Sequence, residues 1–185
     1  QWTGRIDHRF SNKHSLMGRY MFDDRAVVSG QSVPPGLTAS TPARRQGLAT
    51  TLNSSFTANM YNELRANFQR VSSVTNAANP AAITIPSIEI SELGMTGFND
   101  SSSRTAIGLA VNLPQSQALT NYQLSDNFGW LKGNHSLKFG VDIRRQDQNQ
   151  DFNPTIRGRL SYVTLSDFVA DIAQTASINT FLPGV

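Results

Sequence analysis

Few side chains in this sequence stand at spacings that do chemistry. Asp23 and Asp24 could supply half of a calcium site, although a carboxylate pair at a strand end is more often solvated. His14 and His135 each open a His-Ser-Leu run just after a short turn. Neither has a carboxylate or cysteine at ligand spacing, so the shared run reads as one turn-to-strand solution used twice. Arg144-Arg145 is a double cation able to bind phosphate at the end of a strand, or simply a solvated rim, and Asp147 and Asp151 read as loop carboxylates. No Gly-x-Ser-x-Gly elbow, Walker-type phosphate loop or His-Glu-x-x-His pair occurs. With no cysteine, disulfides and thiolate metal sites are excluded. The expectation is a protein that is not an enzyme and carries no cofactor or metal.

What the charged residues do have is a period of two. Arg5, Asp7 and Arg9 share one face of a stretch whose other face carries Trp2, Gly4, Ile6, His8 and Phe10. Arg19 lies opposite Leu16, Gly18, Tyr20 and Phe22, while Glu63 and Arg65 lie opposite Leu64, Ala66 and Phe68. Lys138, Asp142 and Arg144 alternate with Leu137, Phe139, Val141 and Ile143. Three charges along one strand face are expensive in a dry core. In a watery lumen they are easily held, and there they can pair with charges on neighbouring strands.

The element that organises this pattern runs from Leu119 to Gln146: two alternating strands joined at Lys132-Gly133-Asn134. Each strand has ten or more alternating residues, longer than the usual ~5–6 and close to the ~9–11 needed to cross a bilayer. The chain before it reads as strand 2–10, turn Ser11-Asn12-Lys13, and a second strand ended by Asp23 and Asp24. A loop of about twenty residues is expected from Asp24 to Arg45, on the strength of Val33-Pro34-Pro35-Gly36. A second hairpin is expected over Gln46–Thr57 and Met60–Ser72, around Thr57-Ala58-Asn59. Ser73 to Ala118 then reads as a connection of more than about forty residues, too long for an ordinary compact domain without a function. Within it Ile83, Ile85, Ile88 and Ile90 suggest a short strand interrupted by Pro86. A further strand is expected over Thr155–Val163, and a Ser-capped helical turn or two over Ser166–Ile172.

This alternation of short turns with long connections is the habit of transmembrane barrels, which have short periplasmic turns and long external loops. The composition allows it. Mean hydropathy is −0.32 and no apolar run approaches the ~18 residues of a membrane helix, but barrel strands hide from such averages. A net charge of +3 with scattered basic residues argues against nucleic acid. Phe10, Phe56, Phe128 and Trp130 lie near short turns, and Tyr20, Phe22 and Tyr122 near the expected outer strand ends. Two such bands have the form of interfacial aromatic girdles, whereas in a soluble protein the same rings would be core. No basic and apolar leader opens the sequence, and Gln1-Trp2 starts inside an alternating segment, so the expectation is a piece of a longer exported chain.

The run Asn127-Phe128-Gly129-Trp130-Leu131-Lys132-Gly133-Asn134-His135-Ser136-Leu137-Lys138-Phe139-Gly140-Val141-Asp142-Ile143-Arg144-Arg145 resembles the barrel hairpins of TonB-dependent outer-membrane receptors. The likeness is to the Oar-like group in particular, whose members often carry a carboxypeptidase-regulatory-like domain. Asp7-His8-Arg9-Phe10-Ser11 with Gly18-Arg19-Tyr20, the Asn62-Glu63-Leu64-Arg65 run and Asn121-Tyr122-Gln123-Leu124-Ser125-Asp126 are similar to the same group. The resemblance implies an all-β fold of antiparallel up-and-down strands, about six of them, forming part of one transmembrane β-barrel domain over residues 1–185 with long external loops. It also implies a short apolar helix in an external loop near residue 168. The implied function is uptake of a large or scarce solute across the outer membrane of a Gram-negative bacterium, with a plug blocking the pore and a periplasmic energy-transducing protein pulling on it. Implied partners are outer-membrane lipid and lipopolysaccharide, that transducing protein and the transported ligand. The alternatives are a structural or adhesive surface β-protein, or a small porin-like barrel, which needs at least ~8 strands.

Overall fold

The computed structural model describes residues 1–29, 38–96 and 105–178. In chain order the strands are β1 (Trp2–Arg9), β2 (His14–Ser29), β3 (Ala39–Thr57), β4 (Met60–Ala77), the short β5 (Ser87–Ile90), β6 (Gln115–Lys132), β7 (His135–Asp151), β8 (Arg159–Tyr162) and β9 (Thr175–Ser177). One helix, α1 (Leu165–Val169), lies between β8 and β9, and 3-10 turns occupy Pro80–Thr84 and Ser91–Leu93. The six long strands form one sheet in the order β1-β2-β3-β4-β6-β7, and the three short ones a second in the order β5-β8-β9.

Residue pairing keeps the two-residue period in phase from strand to strand. On β1 and β2, antiparallel, Arg5 stands opposite Arg19, Gly4 opposite Tyr20 and Ile6 opposite Gly18, so the apolar run of one strand meets that of the other, while the charged face of β1 meets Arg19 together with Met17 and Met21. Between β4 and β6 the Leu131 N–H donates to the Asn59 carbonyl at 2.8 Å. Further along, the Phe68 and Tyr122 rings lie 5.5 Å apart, and Arg70 Nη1 donates to Thr120 Oγ1 at 3.4 Å. Rising numbers on one strand meet falling numbers on the other, so this pair is also antiparallel. The turns follow local chemistry. Ser11 Oγ accepts from the Lys13 and His14 N–H groups, and Thr57 Oγ1 from the Asn59 N–H. Gly133 takes φ 59, the left-handed value that a two-residue hairpin turn requires and that favours glycine.

The strands run further than the alternation predicts. β2 passes through Asp23 and Asp24 to Ser29 and β3 begins at Ala39, so the expected long loop contracts to residues 30–38; Val33-Pro34-Pro35-Gly36 lies outside the described residues. β4 continues to Ala77 and β6 starts at Gln115, leaving a connection over 78–114. The reason is that these strand ends carry charged and small side chains, Asp23, Asp24 and Arg25 on β2 and Ala39, Ser40, Thr41 and Ala43 on β3, so no apolar alternation marks the strand there. The hydrogen-bond ladder and paired charges hold it while the pattern that betrays it disappears.

The chain divides into two units. The first comprises Gln1–Arg25, Arg44–Ser72 and Ala118–Asn149, and none of its described apolar side chains is buried. The second comprises Ala26–Ala43, Ser73–Gln117 and Gln150–Val185. It holds every buried apolar residue described, namely Ala39, Ala82, Ile90, Ala106, Leu109, Val111, Leu113 and Tyr162. Here β5 pairs parallel with β8, and β8 antiparallel with β9. The Arg157 guanidinium donates to the carbonyls of Ala82, Ile83 and Ala110 at 2.8, 3.1 and 3.3 Å and also to that of Ile85, tying the 3-10 turn to the segment ahead of β6. Three sequence expectations change in this unit. Ile83 belongs to the 3-10 turn, so the strand starts only after Pro86. The Thr155–Val163 strand shrinks to β8, because Thr155 is buried with its N–H on Asn153 Oδ1 at 3.2 Å. Helix α1 is capped by Thr164 instead of Ser166: Thr164 Oγ1 accepts from the Asp167 N–H, and the Asp167 carboxylate from the Thr164 N–H, both at 3.0 Å.

Candidate functional site

The candidate site is the long-strand part of the first unit, and its two faces differ in kind. On the charged face the ions are compensated within single strands. Arg5 reaches Asp7 with Nε and Nη2 at 2.7 and 2.8 Å, Arg65 reaches Glu63 at 2.8 Å, and Arg144 reaches Asp142 at 2.9 Å. Residues two apart on a strand lie ~6.8 Å apart on one face, well within an arginine's reach. The expected pairing between neighbouring strands occurs farther along, where Arg44 on β3 reaches Asp24 on β2 at 2.8 Å and Arg45 stands 3.6 Å from Asp23. Contacts between strands are mostly polar: Arg19 Nε donates to Thr3 Oγ1 at 3.3 Å, and Gln123 Nε2 to Asp142 at 2.7 Å. Arg9 and Lys138 join none of the ion pairs among the described residues. A hollow of about 420 Å³ is bordered by Arg5, Asp7, Arg9 and Asn53, and one of about 530 Å³ by Arg65, Asn67, Gln123, Asp142 and Arg144. Exposed ion pairs of this kind contribute only ~0–1 kcal/mol each. Their presence in rows therefore reports a wetted wall and not a device for stability.

The opposite face is apolar and uncovered. Ile6 is 75% exposed, and Phe10, Phe139, Val141 and Ile143 all exceed half exposure. On β6 it carries Trp130, Phe128, Asp126, Leu124 and Tyr122 in turn, with Lys132 Nζ 5.0 Å over the Trp130 ring. From Trp130 to Tyr122 the strand rises ~27 Å, or ~21 Å along the membrane normal at a tilt of ~40°, against an apolar band of ~25 Å. Apart from Asp126, charge returns toward the outer end of this face only beyond the rings. Trp2, Tyr20 and Phe22 cluster at 5.2–5.8 Å. Just past them Arg44 stands 5.7 Å over the Phe22 ring and pairs with Asp24 at 2.8 Å. Past Ile143, Arg145 pairs with Asp147 at 3.0 Å. Tyr20, Phe22 and Tyr122 are therefore mid-strand residues, because β2 and β6 extend beyond the band that these rings border. Phe56 keeps its place beside a turn, with its ring 6.3 Å from that of His14.

The other candidate residues separate. Asp23 and Asp24, adjacent on β2, fall on opposite faces. Asp23 is held by Arg25 at 2.7 Å with Arg45 at 3.6 Å, and Asp24 by Arg44, so they form no half-site for calcium. His14 lies 3.0 Å from Ser54 Oγ on β3, whereas His135 starts β7, three strands beyond β3 in the sheet. Arg144 and Arg145 likewise face opposite sides. Sequence reasoning missed one pair altogether. Asn62 Nδ2 donates to Asp126 Oδ1 at 2.6 Å, and both lie on the apolar face. The signal was there, since Asp126 interrupts the run Tyr122, Leu124, Phe128, Trp130 midway between its two rings.

A sheet with one wet charged wall, one uncovered apolar face of bilayer height and short turns alternating with long connections is a transmembrane barrel wall. The chain belongs to the outer membrane beta barrel domain family, whose model matches residues 1–185, and its place is the outer membrane. No curated protein matches it. Among solved structures it is similar to that of the outer membrane transporter YddB from Escherichia coli. The TM-score is 0.59 at 17% identity, over 87% of this chain and 20% of that one. This likeness is one of fold, and the chain spans about a fifth of that transporter's length.

Proposed function

We propose that this chain forms part of the barrel of a TonB-dependent outer-membrane transporter of the Oar-like kind. Such a protein takes up a large or scarce solute with energy transduced from the inner membrane by a periplasmic partner. The observation that carries the reading is the pair of faces on the six long strands. Arg5, Asp7, Arg9, Arg19, Glu63, Arg65, Lys138, Asp142 and Arg144 would line a watery lumen, while the Ile6, Phe139 and Val141 face would meet lipid. Phe10, Phe56, Phe128 and Trp130 would sit at the periplasmic interface, and Tyr20, Phe22 and Tyr122 at the outer one. The neighbour's description as an outer membrane transporter supports transport over adhesion. Nothing in this role requires catalysis, a resident cofactor or a nucleic-acid partner.

The test is uptake by cells carrying or lacking the full-length gene. Both are offered a panel of ferric chelates, corrinoids, oligosaccharides and peptides, with and without a protonophore. Gene-dependent uptake that stops when the proton gradient is collapsed is the expected result. Gene-dependent uptake indifferent to the protonophore would make the protein a passive pore. No difference in any solute, with the barrel present in the membrane, would favour the structural or adhesive alternative.

A further inference from the structure

We infer that the apolar face of β4 and β6 is an interface with a second copy of the same protein, closed around Asn62 and Asp126. The inference needs only the outward face in lipid and is independent of energised uptake. Asp126 stands four residues from Trp130 and four from Tyr122 on that face, at the depth where an ionisable side chain has no water. Its described hydrogen bond is the one from Asn62 Nδ2 at 2.6 Å, although a carboxylate has room for about four. The second Nδ2 hydrogen of Asn62 is unused by the Asp126 bond. Lipid tails satisfy none of these groups, and intramembrane polar residues of this kind characteristically face protein.

A second copy fits for a geometric reason. Two barrels inserted the same way in one membrane and related by two-fold symmetry must have the axis along the membrane normal, so every group meets the same depth on its partner. If the axis runs between neighbouring strands β4 and β6, left and right exchange across the interface. Asn62 of one copy then faces Asp126 of the other, and the reverse. The unused amide hydrogen finds a carboxylate twice over, and the two carboxylates stay on opposite sides of the axis. Beside the pair the same face is hollowed by about 350 Å³ between Leu48, Thr50, Ala66 and Leu124, space for apolar side chains of the facing copy.

The test uses the full-length protein, with any other cysteine replaced by serine, in native outer membranes. Leu64→Cys on β4 places a thiol beside the pair, and Ile6→Cys on β1 places one on the same face three strands away. A short bis-thiosulfonate should convert the 64 variant, but not the 6 variant, to a species of twice the mass. Adding Asn62→Ala should lower that yield about tenfold, the equivalent of two weak net hydrogen bonds, one given by each copy, with the barrel still heat-modifiable on a gel. No doubled species from Leu64→Cys, despite labelling by a lipid-soluble maleimide, would overturn the proposal. So would a cross-link to a protein of another mass, or a yield unchanged by Asn62→Ala. Should Asn62→Ala fail to fold, the comparison of positions 64 and 6 decides alone.

Discussion

At the scale of single residues, the two faces make opposite demands on neighbours that share one depth. Val141→Arg puts a cation into the lipid-facing run Leu137–Ile143, at a cost of ~2–4 kcal/mol near the midplane, and should sharply lower the heat-modifiable fraction of the full-length protein. Gly140→Ser on the charged face should cost much less without being silent, because a Cβ there meets Asn127 Oδ1 at 2.8 Å and the Asp126 carbonyl at 3.3 Å. The Asn127 amide can swing aside; the backbone carbonyl cannot. Lys138→Gln should leave the barrel intact and alter uptake, measured as initial rate at fixed expression. In the second unit, Arg157→Met removes the donor shared by the Ala82, Ile83, Ile85 and Ala110 carbonyls. The Ala82 and Ala110 carbonyls keep the Ile85 and Leu113 N–H groups, so the cost falls on those of Ile83 and Ile85, and at ~1–3 kcal/mol for each group left unpaired the 78–114 connection should become the first place a protease cuts.

Among the elements, the sequence was legible wherever one face met an apolar medium and the other met water. All six long strands, the turns at Asn12, Ala58 and Gly133, and the faces of the charged residues could be read from alternation. Illegible were the outer extensions of β2 past Asp23 and of β3 back to Ala39, whose charged and small residues show no alternation, and also β9 and the pairing of β5, β8 and β9 into one sheet, strands too short to show a period. Asp126 is a visible break in the apolar run of β6, but its bond to Asn62 was hidden because the partner of a contact between strands cannot be read from either strand alone. Topology is testable with single cysteines and an impermeant thiol reagent on whole cells. Val169, 77% exposed on α1, should label, and Gly133 should not. Asn153 is 3% exposed and unsuitable for the purpose, and Pro35 and Asn99 lie outside the described residues. The short sheet also has a pH limit. Burial of Tyr162, and then its hydrogen bond to Asp171 at 3.2 Å, raise its phenol above the ordinary 10.0. A raised value in the folded state contributes stability that is complete below pH 10.0 and is lost as pH climbs through the folded value. Phenolate absorbance should thus show a late step, absent in Tyr162→Phe, coinciding with increased protease cutting near α1.

For the molecule as a whole, the order β1-β2-β3-β4-β6-β7 leaves β1 and β7 as edges, and in lipid each unpaired backbone group there would cost several kcal/mol. Residues 1–185 expressed alone and refolded in detergent should give no heat-modifiable band; a compact one would mean that copies close the sheet between them. The pairing of Arg5 with Asp7, Glu63 with Arg65 and Asp142 with Arg144 bears on how such a wall is lengthened. Because each of these three acids has its base two residues away on the same strand, none of the three draws its counter-ion from a neighbouring strand. A hairpin built from such strands can be duplicated, lost or exchanged during evolution without stranding those charges, and barrel circumference becomes a quantity that recombination can change in steps.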